Sequence, residues 1–313
     1  MSPTFKQRWL DHFRACGYPD ATGIATGMEG AVYSLVPGEL VAKVWSRRGI
    51  DSLRRLEAFY ERLASTNGRL RTPRILDVDL VDGVAVSKEM FLPGVPLERH
   101  LTQTAKSADL RTVDATAEVL QFLRDIGEAD EFRDVLVLDE TRSAWKSAAC
   151  WSDAIGQLLH RRLARFGEQL DPVVPHLDDL VEAMLAFLRT RDDVEMSVIH
   201  GDLCPANVMV DDTLEPVAVL DFGFLSTFGD PAFDVSIASA IFNMYGPNAR
   251  VIDEQVVLAM QEALGYGDEV LLAYRAVYAL LTSNAYASDG DDGHFRWCVE
   301  MLGRRDVRGA LNM

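Results

Sequence analysis

Residues 199–210 read IHGDLCPANVMV, and residues 216–223 read PVAVLDFG. In the first stretch two apolar runs enclose a short polar interruption that holds an acid, a proline and an amide: Asp202, Pro205 and Asn207. Runs rich in Val and Ile bounded by turn residues predict short buried strands, so the stretch reads as strand, loop, strand. A hairpin about Asp211–Glu215 then leads to the strand that ends at Asp221. Pro205 stiffens the link that sets the distance between Asp202 and Asn207.

Toward the N-terminus, Phe5, Trp9, Leu10 and Phe13 lie at helical spacing and predict a leading helix over residues 4–16, which Gly17 and Pro19 end. The runs TGIATG, AVYSLV and LVAKVW, parted by MEG and PGE, predict an antiparallel meander. Ile50, Leu53, Leu56, Phe59, Tyr60 and Leu63 recur at three- and four-residue steps, predicting an amphipathic helix over 50–65. Strands at 75–80 and 83–88 flank the turn Val81-Asp82-Gly83, and FLPGVPL breaks the pattern. A boundary near Ser87–Phe91 divides residues 1–88 from 89–313. Helical periodicity covers 110–127, 143–166 and 176–190, and resumes from Pro231 onward. The expected fold is α+β, a small antiparallel β lobe followed by a larger α-rich lobe.

Four residues separate Asp202 from Asn207, and Asp221 follows in LDFG. Such an acid ordinarily makes an Asx turn or caps a helix. Three groups in this order also suit kinase-type phosphoryl transfer, where a carboxylate orients the substrate hydroxyl and an amide and a second carboxylate hold magnesium. The spacing matches the protein-kinase signature D-x-x-x-x-N followed by D-F-G. Lys43, in the third strand, sits inside an apolar run where an unpaired ammonium is costly, which favours a phosphate-binding role. Glu57, fourteen residues on, is its candidate partner, and Glu61 one turn later shares nearly the same face. The turn Gly27-Met28-Glu29-Gly30 is placed to lay backbone N–H groups over phosphates, although an acid there is unfavourable unless Glu29 points to solvent. His200 reads as structural and Cys204 as a spacer; Asp230 and Asp234 read as caps of the following helix.

With these motifs in view, the chain resembles the aminoglycoside phosphotransferase and choline kinase family of small-molecule kinases, which share a two-lobed protein-kinase-like fold. HGDLCPAN, LDFG and FGDPAFDVS carry the likeness, with support from VAKVW and MFLPGVPL. The resemblance implies Asp202 as catalytic base, Asn207 and Asp221 as magnesium ligands, and Lys43 as phosphate ligand. It also implies that Lys88, Glu89, Met90 and Phe91 lie near an adenine-binding hinge, that residues 1–88 bind nucleotide, and that Asp234 anchors the catalytic loop. Two features point away from protein substrates. Gly201 stands where protein kinases carry an Arg that receives a phosphorylated activation loop, and residues 223–231 are too few for such a loop. Ile126-Gly127 departs from the Leu-His the family often has there.

The 313 residues suffice for two buried cores, and no segment reaches the roughly 18 apolar residues a membrane span needs. Cys16, Cys150, Cys204 and Cys298 lie far apart without a CxxC pair, so neither a zinc site nor a disulfide framework is expected. Residues 1–88 carry 13 Lys and Arg against 10 Asp and Glu, whereas residues 89–313 carry 18 against 38. Such a C-terminal part repels nucleic acid and draws cationic small molecules. The expectation is a cytoplasmic, magnesium-dependent kinase, monomer or homodimer, moving the γ-phosphate of ATP or GTP to a hydroxyl of a small molecule. An antibiotic with a cationic or amino-sugar part is the first candidate acceptor. A metabolic kinase of an amino alcohol or sugar, and a nucleotide-binding pseudokinase, are the alternatives. No nucleic-acid or membrane partner is expected.

Overall fold

The computed structural model describes residues 3–27, 29–66, 68–102 and 104–313; Met28 of the expected glycine turn lies outside these. The chain separates into two compact units, Met1–Gly94 with Val217–Leu220, and Val95–Pro216 with Asp221–Met313.

The first unit begins with α1 (Pro3–Ala15) and continues through β1 (Thr22–Thr26), β2 (Gly30–Val36), β3 (Leu40–Trp45), α2 (Ile50–Ala64), β4 (Ile75–Val81) and β5 (Val84–Met90). The strands form one antiparallel sheet in the order β1-β2-β3-β5-β4. Side chains alternate across a strand, so β3 sorts its residues cleanly. Ala42 and Val44 join Trp9 and Phe13 of α1 and Tyr33 and Leu35 of β2 in a closed apolar cluster. Lys43 and Trp45 therefore fall on the opposite face. In α2, Leu53, Leu56, Phe59, Tyr60 and Leu63 are buried, as the apolar spacing predicts. The unit extends past residue 88 because β5 runs on to Met90. It also reclaims residues 217–220, because the Arg71 N–H donates to Val217 O and the Val219 N–H to Arg71 O, both at 3.0 Å.

The second unit opens with β6 (Val95–Pro96) and a 3-10 turn at Leu97–His100, followed by α3 (Leu110–Arg124), α4 (Asp130–Arg133), α5 (Trp151–Leu170) and α6 (Leu177–Arg189). The expected helix over 143–166 starts only at Trp151. Residues 143–150 are turns because the Ser143 hydroxyl accepts the Trp145 N–H (3.0 Å), Ser147 adopts a left-handed φ of 68°, and the Trp145 indole N–H is drawn to Phe228 O (2.9 Å). Then come β7 (Ser197–Ile199), β8 (Val208–Val210), β9 (Pro216–Val219) and β10 (Thr227–Gly229); β10 pairs with β7, a partner the sequence pattern does not reveal. The chain ends in α7 (Pro231–Ile241), α8 (Ala249–Leu264), α9 (Asp268–Thr282), α10 (Gly293–Gly303) and α11 (Arg305–Ala310). Helices α7 and α9 are buried on nearly every face, so they form the centre of this unit and give the β7–β8 segment a rigid backing. Among the described residues, no helix is long and apolar enough to cross a membrane.

Candidate active site

The loop between β7 and β8 is built around Asp234, in the first turn of α7. Its two carboxylate oxygens accept the N–H groups of His200 (2.7 Å) and Gly201 (2.8 Å). Asp230, not Asp234, caps α7 by accepting the Ala232 N–H (2.9 Å), with Pro231 at the first helical position. Asp230 also receives Arg191 Nε (2.8 Å) and the Tyr274 hydroxyl (2.7 Å). Burial pushes the Asp234 carboxyl up to about 6, against the two N–H bonds that favour its charged form.

Gly201 has φ +76°, and a Cβ built there would overlap the backbone carbonyl and Cβ of Leu225. This position is thus glycine for two local reasons: a left-handed backbone and a close approach of the chain after LDFG. The Ser226 hydroxyl straps the two segments together by donating to His200 O (2.5 Å) and accepting the Gly223 N–H (2.7 Å). Phe222, fully buried, packs its ring 4.4 Å from the His200 ring. His200 itself is buried, and its Nδ1 accepts the Asp202 N–H (3.2 Å), which gives it a structural place.

Within the loop, the Cys204 N–H donates to Asp202 O (2.8 Å) and the Asn207 N–H to Cys204 O (2.9 Å). Asn207 Nδ2 donates to Asp202 O (2.8 Å), so its Oδ1 is left as an acceptor. Asp221 adopts a left-handed φ of 60° and is exposed. Burial pushes the Cys204 thiol up to about 12, and the charges of Asp202 and then Asp221 add to that rise. A thiol held so high is a poor nucleophile. Burial raises Tyr278 of α9 and Tyr245, in the turn after α7, with a smaller contribution from the Asp202 charge. The Asp221 carboxylate and the Asn207 amide oxygen are hard donors of the kind a magnesium ion takes.

The first unit holds the remaining predicted residues. Lys43 lies almost buried on β3, its Nζ 3.9 Å above the Trp45 ring and 3.5 Å from Glu29 Oε2. Glu57 does not pair with it. Arg54, three residues earlier on the same face of α2, takes Glu57 at 2.8 Å, and Glu61 is exposed. Glu29 does not point to solvent, as its position beside phosphates would require; it is shared by Lys43 and Arg48, the latter at 3.1 Å. Gly27 and Gly30 close the turn through a Gly27 N–H to Gly30 O bond (2.9 Å), and a Cβ on Gly30 would overlap the Val44 carbonyl.

In the hinge segment, Lys88 turns to Asp77 (2.9 Å) and Asp79 (3.5 Å) of β4, and Glu89 Oε1 accepts the Ser87 hydroxyl (2.5 Å). The Met90 and Phe91 N–H groups donate to Arg74 O (3.1 Å) and Glu39 O (2.9 Å). The side chains of Lys88 and Glu89 thus serve the sheet. Ser226 and Arg48 escaped the sequence reading, because a lone serine and an arginine in an Arg-rich stretch carry no spacing signal.

The model of the APH phosphotransferase enzyme family matches residues 7–278. No curated protein sequence matches the chain. Among solved structures, the aminoglycoside phosphotransferase APH(3'')-Id of Streptomyces rimosus is 20% identical, with 88% of this chain and 98% of that one covered and a TM-score of 0.55. The macrolide 2'-phosphotransferase MphH of Brachybacterium faecium is 19% identical, covers 94% and 97%, and has a TM-score of 0.54. The GDP and kanamycin complex of APH(2")-IIIa gives 16%, 94%, 98% and 0.56. At these identities the likeness is one of fold, an α+β arrangement. The match of the family model over most of the chain goes further: the protein belongs to the APH phosphotransferase enzyme family and is a small-molecule phosphotransferase.

Proposed function

We propose that the protein transfers the γ-phosphoryl group of ATP or GTP to a hydroxyl of a cationic, sugar-containing antibiotic. The observation that carries this reading is the loop 200–207, held by Asp234 and Ser226, in which Asn207 Nδ2 closes on Asp202 O and leaves Asn207 Oδ1 as an acceptor. Asp202 accepts the proton of the acceptor hydroxyl as its oxygen bonds to phosphorus and the bond to the β-phosphate oxygen breaks, releasing nucleoside diphosphate. Lys43 offsets phosphate charge. Asn207 and Asp221 would hold magnesium, which supplies charge neutralisation at the phosphates when bound.

The donor assignment is supported by the ADP and streptomycin complex of the Streptomyces rimosus enzyme and by the GDP and kanamycin complex of APH(2")-IIIa. The acceptor class is supported by the acidic balance of residues 89–313, including Asp289, Asp291 and Asp292 beside α10. The test is nucleotide consumption with streptomycin, kanamycin, a macrolide, choline and homoserine as acceptors. Turnover with an antibiotic and loss of it in Asp202→Ala is the expected result. Turnover with choline or homoserine alone would move the protein to metabolism, and nucleotide binding without transfer to any acceptor would make it a pseudokinase.

A further inference from the structure

The Lys43–Glu29–Arg48 arrangement contains more than a pair of surface ion contacts. Glu29 Oε2 lies 3.5 Å from Lys43 Nζ and its Oε1 3.1 Å from Arg48 Nη2, so each carboxylate oxygen takes one cation. Both cations are 9% exposed. Their positions are fixed from behind. Trp45 lies beneath them, with Lys43 Nζ at 3.9 Å and Arg48 Cζ at 5.7 Å from its ring, and its indole N–H is anchored on the Ser87 hydroxyl (2.8 Å). Arg48 Nη1 also donates to the Ser52 hydroxyl (3.2 Å) at the start of α2. Glu29 is delivered by the glycine turn: Gly30 pairs with Trp45, and the Ser46 N–H donates to Glu29 O (2.9 Å).

Two nearly buried cations oriented on the two oxygens of one anion make a bidentate anion site, and a phosphate offers the same geometry with more charge and more oxygens. We infer that Arg48 is a second phosphate-binding cation beside Lys43, and that Glu29 occupies their common anion position until a nucleotide phosphate displaces it. The inference rests on the reading of Lys43 as a phosphate ligand. It also explains how an acid can sit in a phosphate-binding turn: the carboxylate offsets one of the two cationic charges in the nucleotide-free protein and swings away when phosphate enters. Nucleotide must compete with this internal anion, so its apparent affinity is reduced by the fraction of molecules in which Glu29 holds the site.

The experiment is calorimetric titration of the full chain with ADP, pyrophosphate and adenosine, on the wild type and on Glu29→Gln, Arg48→Gln and Arg48→Lys, with thermal melting as the folding control. Glu29→Gln is expected to tighten ADP and pyrophosphate by roughly tenfold, the scale of one charge-assisted contact, with adenosine unchanged. Arg48→Gln is expected to weaken ADP and pyrophosphate by a similar factor, with Arg48→Lys recovering part of it. Equal or weaker ADP binding in folded Glu29→Gln, or an equal change for adenosine, would overturn the inference while leaving the phosphotransferase reading intact. A wild type that binds pyrophosphate but neither ADP nor adenosine would instead sink the nucleotide-donor reading, and the pyrophosphate comparison would still decide the role of Glu29.

Discussion

The β7–β8 loop and the β1–β2 turn are both short polar segments flanked by strands, yet they are held in different ways. The loop is fixed by buried bonds to main chain: Asp234 takes two N–H groups, Ser226 bridges a carbonyl and an N–H, and Asn207 closes on Asp202 O. Among the described residues of the turn, backbone bonds join Gly27 to Gly30 and Ser46 to Glu29, and the Glu29 carboxylate is shared between two cations. Breaking a buried main-chain bond leaves an orphaned polar group at the full desolvation cost, so the loop has one arrangement. An ion pair can be exchanged for another anion of the same geometry. Groups that do chemistry are placed by the first kind of contact, and groups that must yield to a ligand by the second.

The comparison can be broken most sharply at Asp202. Asp202→Ala should lower phosphoryl transfer by about a thousandfold or more while leaving the melting temperature near that of the wild type, since the bonds of the Asp202 main chain to Cys204 and Asn207 survive the change. Asp234→Ala tests the anchor. It orphans two buried N–H groups and should cost about 2–5 kcal/mol in urea unfolding, with activity falling alongside. Gly201→Ala forces a Cβ into the Leu225 backbone at a left-handed φ and should cost on the order of 3 kcal/mol by the same measurement.

A gentler probe is pH. The raised Asp234 carboxyl contributes stability that is present below its ordinary value of 3.8 and is lost as pH rises through about 6. His294, lowered by burial to about 4 from 6.5, does the reverse: its contribution is present above 6.5 and lost as pH falls toward 4. His294→Gln removes one of the two opposing slopes, so its urea midpoint should improve relative to the wild type as pH falls across that window. A constant gap would show that His294 does not titrate with unfolding. The smallest effect is expected at Glu57. Because it pairs with the half-exposed Arg54, Glu57→Gln should change stability by less than about 0.5 kcal/mol and leave nucleotide affinity unaltered. A large loss of nucleotide affinity would restore Glu57 as the partner of Lys43.

Cys204 and Gly201 show how far spacing alone can be trusted. Cys204 reads as a spacer from the lack of a histidine partner, and its strongly raised thiol agrees. Gly201 reads as a mark of substrate class, but its φ and the Leu225 backbone already account for it as a packing requirement. Lys43 stands out because an ammonium inside an apolar strand is costly. Its partner does not, because helical periodicity places both Glu57 and Glu61 near the correct face and says nothing about which arginines compete for them.

The sequence by itself determined the strand–loop–strand around Asp202, the antiparallel sheet, the amphipathic α2 and the order of Asp202, Asn207 and Asp221. These follow from local periodicity and from spacings that a short chain segment must keep wherever it folds. Only the tertiary structure decided which groups meet across long separations: Asp234 with the His200 and Gly201 amides, Ser226 with His200 O, β10 with β7, and Glu29 with both Lys43 and Arg48. Those choices depend on which buried polar groups find partners once the cores close, and no linear pattern records that competition.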